Sequence, residues 1–247
     1  MFEIKIDDAR YWKSCVDSIV SLIDEGSFRI MAEGIELKAM DPSGISMISF
    51  FIPNKAFSIY TVDNGASVGL NLNNLSKILS SSRAGEQLLM KEANNKFIIE
   101  FSGQHTRRRY RLPLIDTGKE ADKEPKVEFE SFVDLRADAL KDILKDATLL
   151  SNYVSFRAEK DSFSVTANGD AGELEEEHLN QADAIKKLVI KKAASATFNL
   201  EYLERMISAC PTSSLISLSL KSEEPIRIEY KIGEARVSYY LAPYMES

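Results

Sequence analysis

The 247-residue sequence is poor in the residues that are typical of disulfide-bonded, metal-binding or membrane-spanning proteins. It has only two cysteines and two histidines. Two cysteines cannot form a disulfide framework, and no Cys-x-x-Cys pair offers a zinc site. The longest apolar stretch, Ile45–Ile52, contains two serines and is far shorter than the roughly 20 residues that cross a bilayer. We therefore expect a soluble protein of a reducing compartment that makes no contact with a membrane.

Sequence motifs of catalysis are also missing. The chain has no phosphate-binding glycine loop, zinc-peptidase motif or serine-hydrolase elbow. Its histidines, His105 and His178, stand at no metal-ligand spacing, and we interpret both as exposed surface residues. We therefore expect a protein that is not an enzyme and that holds no cofactor and no metal. A hydrolase that uses Asp41 with His105 is an alternative from another class.

Charge of one sign does not dominate the chain as a whole, but it is unevenly distributed. The 31 Lys and Arg and 38 Asp and Glu give a net charge of −7, which argues against a uniformly basic nucleic-acid binder. Residues 1–127 carry 17 charges of each sign, so the whole excess lies in residues 128–247. Between them, Thr117–Lys126 has six charges and no large apolar residue, which predicts an exposed linker.

An internal repeat is the most informative feature that is present. When the sequence is shifted by 128 positions, Asp8–Asp41 aligns with Arg136–Gly169 without a gap, and Asn71–Leu79 aligns with Asn199–Ile207. Each half has the pattern of a strand, an amphipathic helix, several strands, a second helix and final strands. Turn pairs such as Asn94-Asn95 stand where hairpins need them. The sequence predicts an α+β protein of two similar domains, each an antiparallel sheet with two helices on one face.

Basic residues recur on the solvent faces of these four helices. Placing each helix at about 100° per residue puts a cation opposite or beside the apolar stripe in every case. A shared basic surface built by helices would suit contacts to nucleic-acid phosphates. This basic surface consists of Arg10, Lys13, Lys77, Lys141, Lys145 and Arg205, and the family resemblance described below implies that these residues face DNA.

Two segments carry the strongest contrast of charge. One has four arginines and the other four glutamates, and both are predicted to be edge strands, which are templates for pairing with another chain. Like charges would repel in a self-facing dimer, whereas opposite edges attract, so head-to-tail contacts are favoured. The predicted subunit-interface residues are Arg107, Arg109, Tyr110, Arg111, Glu173, Leu174, Glu175 and Glu177. Two solvated hairpins are the alternative.

Several segments resemble a known family. Gly34–Ile45 (GIELKAMDPSGI), Arg109–Asp116 (RYRLPLID), Pro225–Ile232 (PIRIEYKI) and Tyr239–Pro243 (YYLAP) are similar to motifs of the sliding clamps called proliferating cell nuclear antigen, PCNA, of archaeal type. The resemblance implies the DNA clamp fold, with an N-terminal clamp domain at 1–116, an interdomain connector at 117–127 and a C-terminal clamp domain at 128–247. It implies no catalysis.

The resemblance also implies a function and partners. Three subunits, of this chain or of paralogues, would form a closed ring that encircles duplex DNA without reading its sequence. The ring would be opened by a clamp loader and would tether DNA polymerase, flap nuclease and ligase through short hydrophobic-aromatic motifs. The implied location is cytoplasmic and nucleoid-associated in an archaeon, or nuclear in a eukaryote. The predicted partner-peptide pocket consists of Met40, Ile45, Val127, Pro225, Tyr240, Leu241, Ala242 and Pro243.

Some residues depart from the family pattern. Asp142 and Ser208 stand where the family often has cations, and Tyr244–Ser247 lacks the basic residue usual after Ala-Pro. These departures concern the exact DNA contacts and not the fold. The alternative function is a subunit of a hetero-oligomeric or checkpoint-type clamp that acts mainly as a protein-interaction scaffold.

Overall fold

The computed structural model describes residues 1–117 and 123–245. Its chain divides into two compact units. The first comprises Met1–Pro42, Ile48–Asp122 and Ile232–Val237, and the second comprises Ser43–Met47, Lys123–Lys231 and Ser238–Ser247. Residues 118–122 of the predicted connector, and Glu246 and Ser247 at the C-terminus, lie outside the described residues.

The N-terminal half of the chain supplies nine strands and two α-helices. In chain order these are β1 (Phe2–Ile6), α1 (Ala9–Val20), β2 (Glu25–Met31), β3 (Gly34–Met40), β4 (Ser46–Pro53), β5 (Ile59–Val62), β6 (Ala66–Asn71), α2 (Leu72–Leu79), β7 (Gln87–Ala93), β8 (Lys96–Ser102) and β9 (Arg107–Pro113). The strands are ordered β5-β1-β7-β8-β9 in one sheet and β4-β3-β2-β6 in another.

The C-terminal half repeats this arrangement. It contains β10 (Ser131–Arg136), α3 (Ala137–Ala147), β11 (Tyr153–Glu159), β12 (Ser162–Gly169), β13 (Gly172–Leu179), β14 (Ile185–Ile190), β15 (Ala194–Asn199), α4 (Leu200–Ser208), β16 (Leu215–Leu220), β17 (Ile226–Ile232) and β18 (Ala235–Leu241). The strands are ordered β14-β10-β16-β17-β18 and β13-β12-β11-β15. The antiparallel α+β architecture with two helices in each half confirms the predicted fold class.

The helices begin at the same offset that the sequence repeat has. Helices α1 and α3 start at residues 9 and 137, and α2 and α4 start at 72 and 200. Asn71 and Asn199 cap α2 and α4 in the same way, since each side chain accepts a hydrogen bond from the backbone N–H three residues later, at 2.9 and 3.3 Å. Such a cap satisfies one of the free N–H groups at a helix start.

Buried aromatic clusters hold each unit together. In the first unit, Trp12 of α1 is 2% exposed and packs against Phe28, Phe50 and Phe57, with ring centroids 5.7 to 6.4 Å apart. In the second unit, the ring of Phe156 contacts those of two other buried phenylalanines at 5.5 and 5.9 Å. The helices therefore cover sheets whose inner positions are apolar, as the alternating patterns predict.

The turns show both a success and a gap in the sequence prediction. Asn94 and Asn95 both have positive φ, 52° and 57°, as a tight hairpin between β7 and β8 requires. The pattern of several strands in each half did not distinguish β5 and β6. Strand β5 has four residues, of which two are exposed, so its apolar alternation is too short to stand out.

Candidate functional site

The arginine-rich segment forms β9, and β9 lies at the edge of its sheet. Successive side chains alternate between an exposed and a more buried face. Arg107, Arg109 and Arg111 share the exposed face, while Arg108 and Tyr110 share the other. Three cations are thus presented in register on one face of an edge strand, because alternate residues of a strand point the same way.

Part of this positive charge is already paired inside the unit. Glu100 of the neighbouring strand β8 is 4% exposed, and its carboxylate contacts Arg107 at 2.9 Å and Arg109 at 2.6 Å. On the inner face, Arg108 contacts the buried Glu86 at 2.6 Å. Arg111 is exposed and has no ion pair among residues 1–117 and 123–245. Sequence reasoning missed these internal carboxylates, because Glu86 lies 22 positions from Arg108 and Glu100 lies 9 positions from Arg109 along the chain.

The glutamate-rich segment forms β13, which also lies at a sheet edge. Glu173, Glu175 and Glu177 share its exposed face. Leu174 and His178 lie on the half-buried face. The alternation is regular here as well, so this edge is the acidic counterpart of the arginine edge of β9.

His178 is not the exposed residue that the sequence suggested. Its side chain is 14% exposed, and its Nε2 lies 2.8 Å from a carboxylate oxygen of Glu176. The two residues are two positions apart on one strand and therefore share a face.

An apolar residue beside β13 was not predicted. Leu149, after the end of α3, is 75% exposed. The next residue, Leu150, approaches the β12–β13 hairpin: a Cβ added at Gly169 would lie 1.8 Å from its carbonyl oxygen. The signal in the sequence is the pair of leucines, Leu149-Leu150, two positions beyond the end of the helix.

Most cations of the helices have partners within the chain. Arg10 contacts Asp8 at 2.7 Å and lowers the pKa of that carboxyl, Lys13 pairs with Asp17, and Arg205 lies 3.9 Å from Glu201. A further interaction belongs to Lys141, whose ammonium donates to the carbonyls of Ser208 and Cys210 at 3.3 and 2.6 Å.

Two cations of the helices are exposed without an ion pair among the described residues. Lys77 and Lys145 are exposed and have no ion pair in the part of the chain that the structure describes. They are therefore the two predicted DNA-facing residues whose charge is least neutralised by the chain itself.

The predicted pocket residues differ widely in exposure. Met40 and Ile45 are 51% and 41% exposed, whereas Tyr240 and Leu241 are 4% and 1% exposed. Val127, Pro225, Ala242 and Pro243 are half-buried.

Contacts within the second unit hold the C-terminal segment. The N–H of Ala242 donates to the carbonyl of Ile45 at 2.9 Å, and the hydroxyl of Tyr240 donates to Glu124 at 2.8 Å. Burial, with the Glu124 contact, raises the pKa of Tyr240 to about 12. Tyr244 stacks on Tyr153 with ring centroids 4.0 Å apart.

The two residues of the alternative hydrolase site, Asp41 and His105, differ in exposure. Asp41 is 6% exposed, whereas His105 is exposed in the turn between β8 and β9. Within residues 1–117 and 123–245, no cluster of three or more His, Cys, Asp or Glu side chains could hold a metal ion. None of the helices in these residues is long and apolar enough to cross a membrane.

Solved structures define the class of fold. PCNA from Thermococcus kodakaraensis superposes with a TM-score of 0.94 at 24% identity, covering 99% of this chain and 100% of that chain. A. fulgidus PCNA, solved with the C-terminal region of FEN-1 bound, gives a TM-score of 0.91 at 23% identity and covers all of both chains. The chain therefore has the two-domain DNA clamp fold.

Comparisons of sequence identify the family. The family models for the N-terminal and C-terminal domains of proliferating cell nuclear antigen match residues 1–122 and 123–245. The DNA polymerase sliding clamp of Thermofilum pendens is 31% identical over 248 residues, and that of Thermococcus gammatolerans is 30% identical over 247 residues. These alignments cover 99% or more of each chain. The chain belongs to the proliferating cell nuclear antigen family of DNA polymerase sliding clamps.

Proposed function

We propose that three copies of this chain close head to tail into a ring around duplex DNA and tether DNA polymerase and other replication and repair enzymes to it, without catalysis of their own. The observation that carries the proposal is the pair of unpaired edges with opposite charge. Three arginines alternate on the exposed face of β9, and three glutamates alternate on the exposed face of β13. Because both strands have the same period, the three cations can meet the three anions in one ladder.

The same proposal assigns parts of the chain. Residues 1–116 and 128–247 are the two clamp domains, and 117–127 is the connector between them. Backbone hydrogen bonds form the joint between subunits, Tyr110 and Leu174 pack beside it, and the charges determine its polarity more than its strength. Leu149 joins this apolar contact, because it is exposed next to the β12–β13 hairpin.

Contacts to DNA would come from the helices. The predicted set is Arg10, Lys13, Lys77, Lys141, Lys145 and Arg205, and within it Lys77 and Lys145 would contribute most because their charges are not paired. Such contacts to phosphate carry no sequence information. A surface of few, exposed cations suits a ring that must slide, since tight contacts would arrest it.

Partner enzymes would dock at the predicted pocket. Ile45 and Met40 offer exposed apolar side chains for an aromatic anchor, which supplies most of the energy in such contacts. A clamp loader, DNA polymerase and ligase are proposed partners. A flap nuclease is supported by the A. fulgidus PCNA solved with the C-terminal region of FEN-1. The archaeal relatives support a cytoplasmic, nucleoid-associated location.

Retention on circular DNA tests this function. We expect the protein to sediment with the mass of three chains and, once loaded on nicked circular DNA, to stay bound until the circle is cut. A monomer, or a complex that survives linearisation unchanged, would contradict the ring.

Lys77→Glu combined with Lys145→Glu tests the DNA face. Removing one phosphate interaction lowers the salt slope of binding by about one, so the double variant should be retained less at moderate salt while its mass stays that of a trimer. Lys96→Glu with Lys160→Glu makes the same change in net charge at exposed residues outside the predicted DNA face and should behave as wild type. Equal retention of both variants would place the DNA-binding face elsewhere.

A second function is favoured by one specific observation. Four of the six predicted DNA-facing cations are engaged by carboxylates or carbonyls of the same chain, which fits a subunit of a hetero-oligomeric or checkpoint-type clamp that acts mainly as a scaffold. Light scattering with and without paralogues from the same cell separates the two, since a stable self-trimer supports the simple clamp.

A further inference from the structure

Strand β14 is a basic edge in the acidic half of the chain. It lies at the end of its sheet and is bonded to β10 on one side. Exposed lysines stand in and just after it, at 186, 187, 191 and 192. Lys186 contacts Asp183 at 3.3 Å and Lys192 contacts Glu130 at 3.5 Å. Lys187 and Lys191 have no carboxylate partner in the described residues.

An apolar floor lies between these two lysines. Val189 of β14 is 38% exposed and stands opposite Phe132 of β10, which is opposite Ser219 of β16. The ammonium of Lys191 lies 5.4 Å from the centre of the Phe132 ring. Phe132, Val189, Lys187 and Arg227 of β17 line a shallow groove of about 420 Å³, to which the carboxylates of Asp134 and Glu229 also contribute.

The fold does not require an apolar groove at this place. In the first unit, Glu3 of β1 stands opposite both Thr61 and Lys91, and this row precedes that of Phe132, Val189 and Ser219 by 128 or 129 positions. Glu3 and Lys91 form an ion pair at 3.7 Å. At this position the first unit thus has a charged pair, whereas the second unit has a half-buried phenylalanine.

The backbone of β14 is open at the same edge. The N–H of Lys191 donates to the carbonyl of Glu130 at 2.9 Å. In an antiparallel ladder, alternate residues direct both backbone groups toward the partner strand. The backbone N–H and C=O groups of Lys187, Val189 and Lys191 therefore point toward β10. Those of Leu188 and Ile190 point the other way, toward the free edge.

We propose that this edge binds an acidic, extended peptide segment of a partner protein. The segment adds as a strand to β14, places an apolar side chain on Val189 and Phe132, and sets carboxylates beside Lys187 and Lys191. Lysines on an edge also protect it from aggregation, but that role needs no exposed valine beside a half-buried aromatic ring. A nucleic-acid backbone would match the lysines and would leave both the apolar floor and the backbone groups unused.

The probe for this site is a fluorescein-labelled peptide in which glutamate and valine alternate. We expect saturable binding by fluorescence anisotropy that weakens when salt is raised from roughly 50 to 500 mM, because exposed charges are screened. Lys187→Gln combined with Lys191→Gln should weaken binding about tenfold, since exposed ion pairs contribute little each. Val189→Thr, which copies Thr61 of the first unit, should weaken it to a smaller extent.

Matched controls make the outcome decisive. Lys96→Gln with Lys160→Gln changes net charge equally and should bind as wild type, and a peptide N-methylated on alternate residues should not bind. Equal affinity of both double variants, or binding of the N-methylated peptide, would overturn the proposal. It would also be overturned if labelled duplex DNA bound more tightly than the peptide and lost affinity in the same lysine variant. A change in the sedimenting mass of the Lys187→Gln, Lys191→Gln variant would likewise overturn it, because it would show a contact between copies instead.

Discussion

The two units place equivalent elements at equivalent positions and give their outward side chains different tasks. Trp12 of α1 and Leu140 of α3 are one repeat apart and are 2% and 1% exposed. One position further along the two helices, Lys13 pairs with Asp17, whereas Lys141 donates to carbonyls at the end of α4. Inward positions are thus constrained by packing in both units, and outward positions are free to diverge.

The divergence is clearest at the charged edges. Ile45, an exposed residue of the predicted partner pocket, aligns with Glu173 of the acidic edge under the 128-residue shift. The strand that begins there is β4 in the first repeat and the edge strand β13 in the second. A duplicated fold therefore offers two copies of each surface, and different residues can make one copy a peptide pocket and the other a subunit joint.

The largest expected effect comes from reversing the charge of the arginine edge. Arg109→Glu with Arg111→Glu should yield monomers at micromolar concentration in sedimentation, because each joint then sets acidic residues against β13. Adding Glu175→Arg and Glu177→Arg should restore part of the trimer.

The structure supplies the control for this experiment. Arg109 also holds Glu100 inside the unit, so its reversal can disturb folding, whereas Arg111 has no such partner in the described residues. Arg111→Glu alone should weaken the trimer without changing the thermal unfolding of the monomer. If the double variant sediments as a trimer at both low and high salt, these strands do not form the joint.

A medium effect is expected at Tyr11, which has no counterpart in the second repeat, where Ala139 occupies the position. Its hydroxyl oxygen accepts from the backbone N–H groups of Glu234 and Ala235 at 3.0 and 3.1 Å. Tyr11→Phe leaves both donors without this acceptor and should lower the free energy of unfolding by about 1–3 kcal/mol. Denaturant unfolding measures it. Tyr60→Phe, which removes a single hydrogen bond to the Met31 carbonyl, is the matched variant and should cost less.

The smallest effect is expected at the partner pocket. Ile45→Ala should weaken binding of a peptide that ends in paired aromatic residues by about 1–2 kcal/mol in calorimetry, since the substitution removes an exposed apolar anchor. Leu215→Ala, at a residue that is 47% exposed, should bind as wild type. Leu241→Ala is a poor probe, because Leu241 is 1% exposed and its truncation would also open a cavity. If the Ile45→Ala variant bound the peptide with unchanged affinity, the pocket would have to lie elsewhere on the protein.

Most of the architecture could be predicted from sequence because its signals are local or periodic. The helix stripes, the asparagine caps and the Asn94-Asn95 turn each depend on residues a few positions apart. Strand β5 escaped prediction because four residues with two exposed carry too little alternation. The exposure of His178 was misjudged for a different reason: on a strand, its burial depends on what packs against that face, which a single sequence does not reveal.

The sequence by itself determined that the chain is a duplicated α+β protein with one arginine-rich and one glutamate-rich strand, because repeats and periodic patterns depend on the order of residues along the chain. Only the tertiary structure decided which charges are available. Arg108 meets Glu86 across 22 positions and Lys141 meets Cys210 across 69, and the groove beside Phe132 joins four strands from separate parts of the chain. Such distant neighbours decide whether a charge is paired and whether an apolar side chain is buried, since Coulomb attraction and burial act through space and not along the sequence.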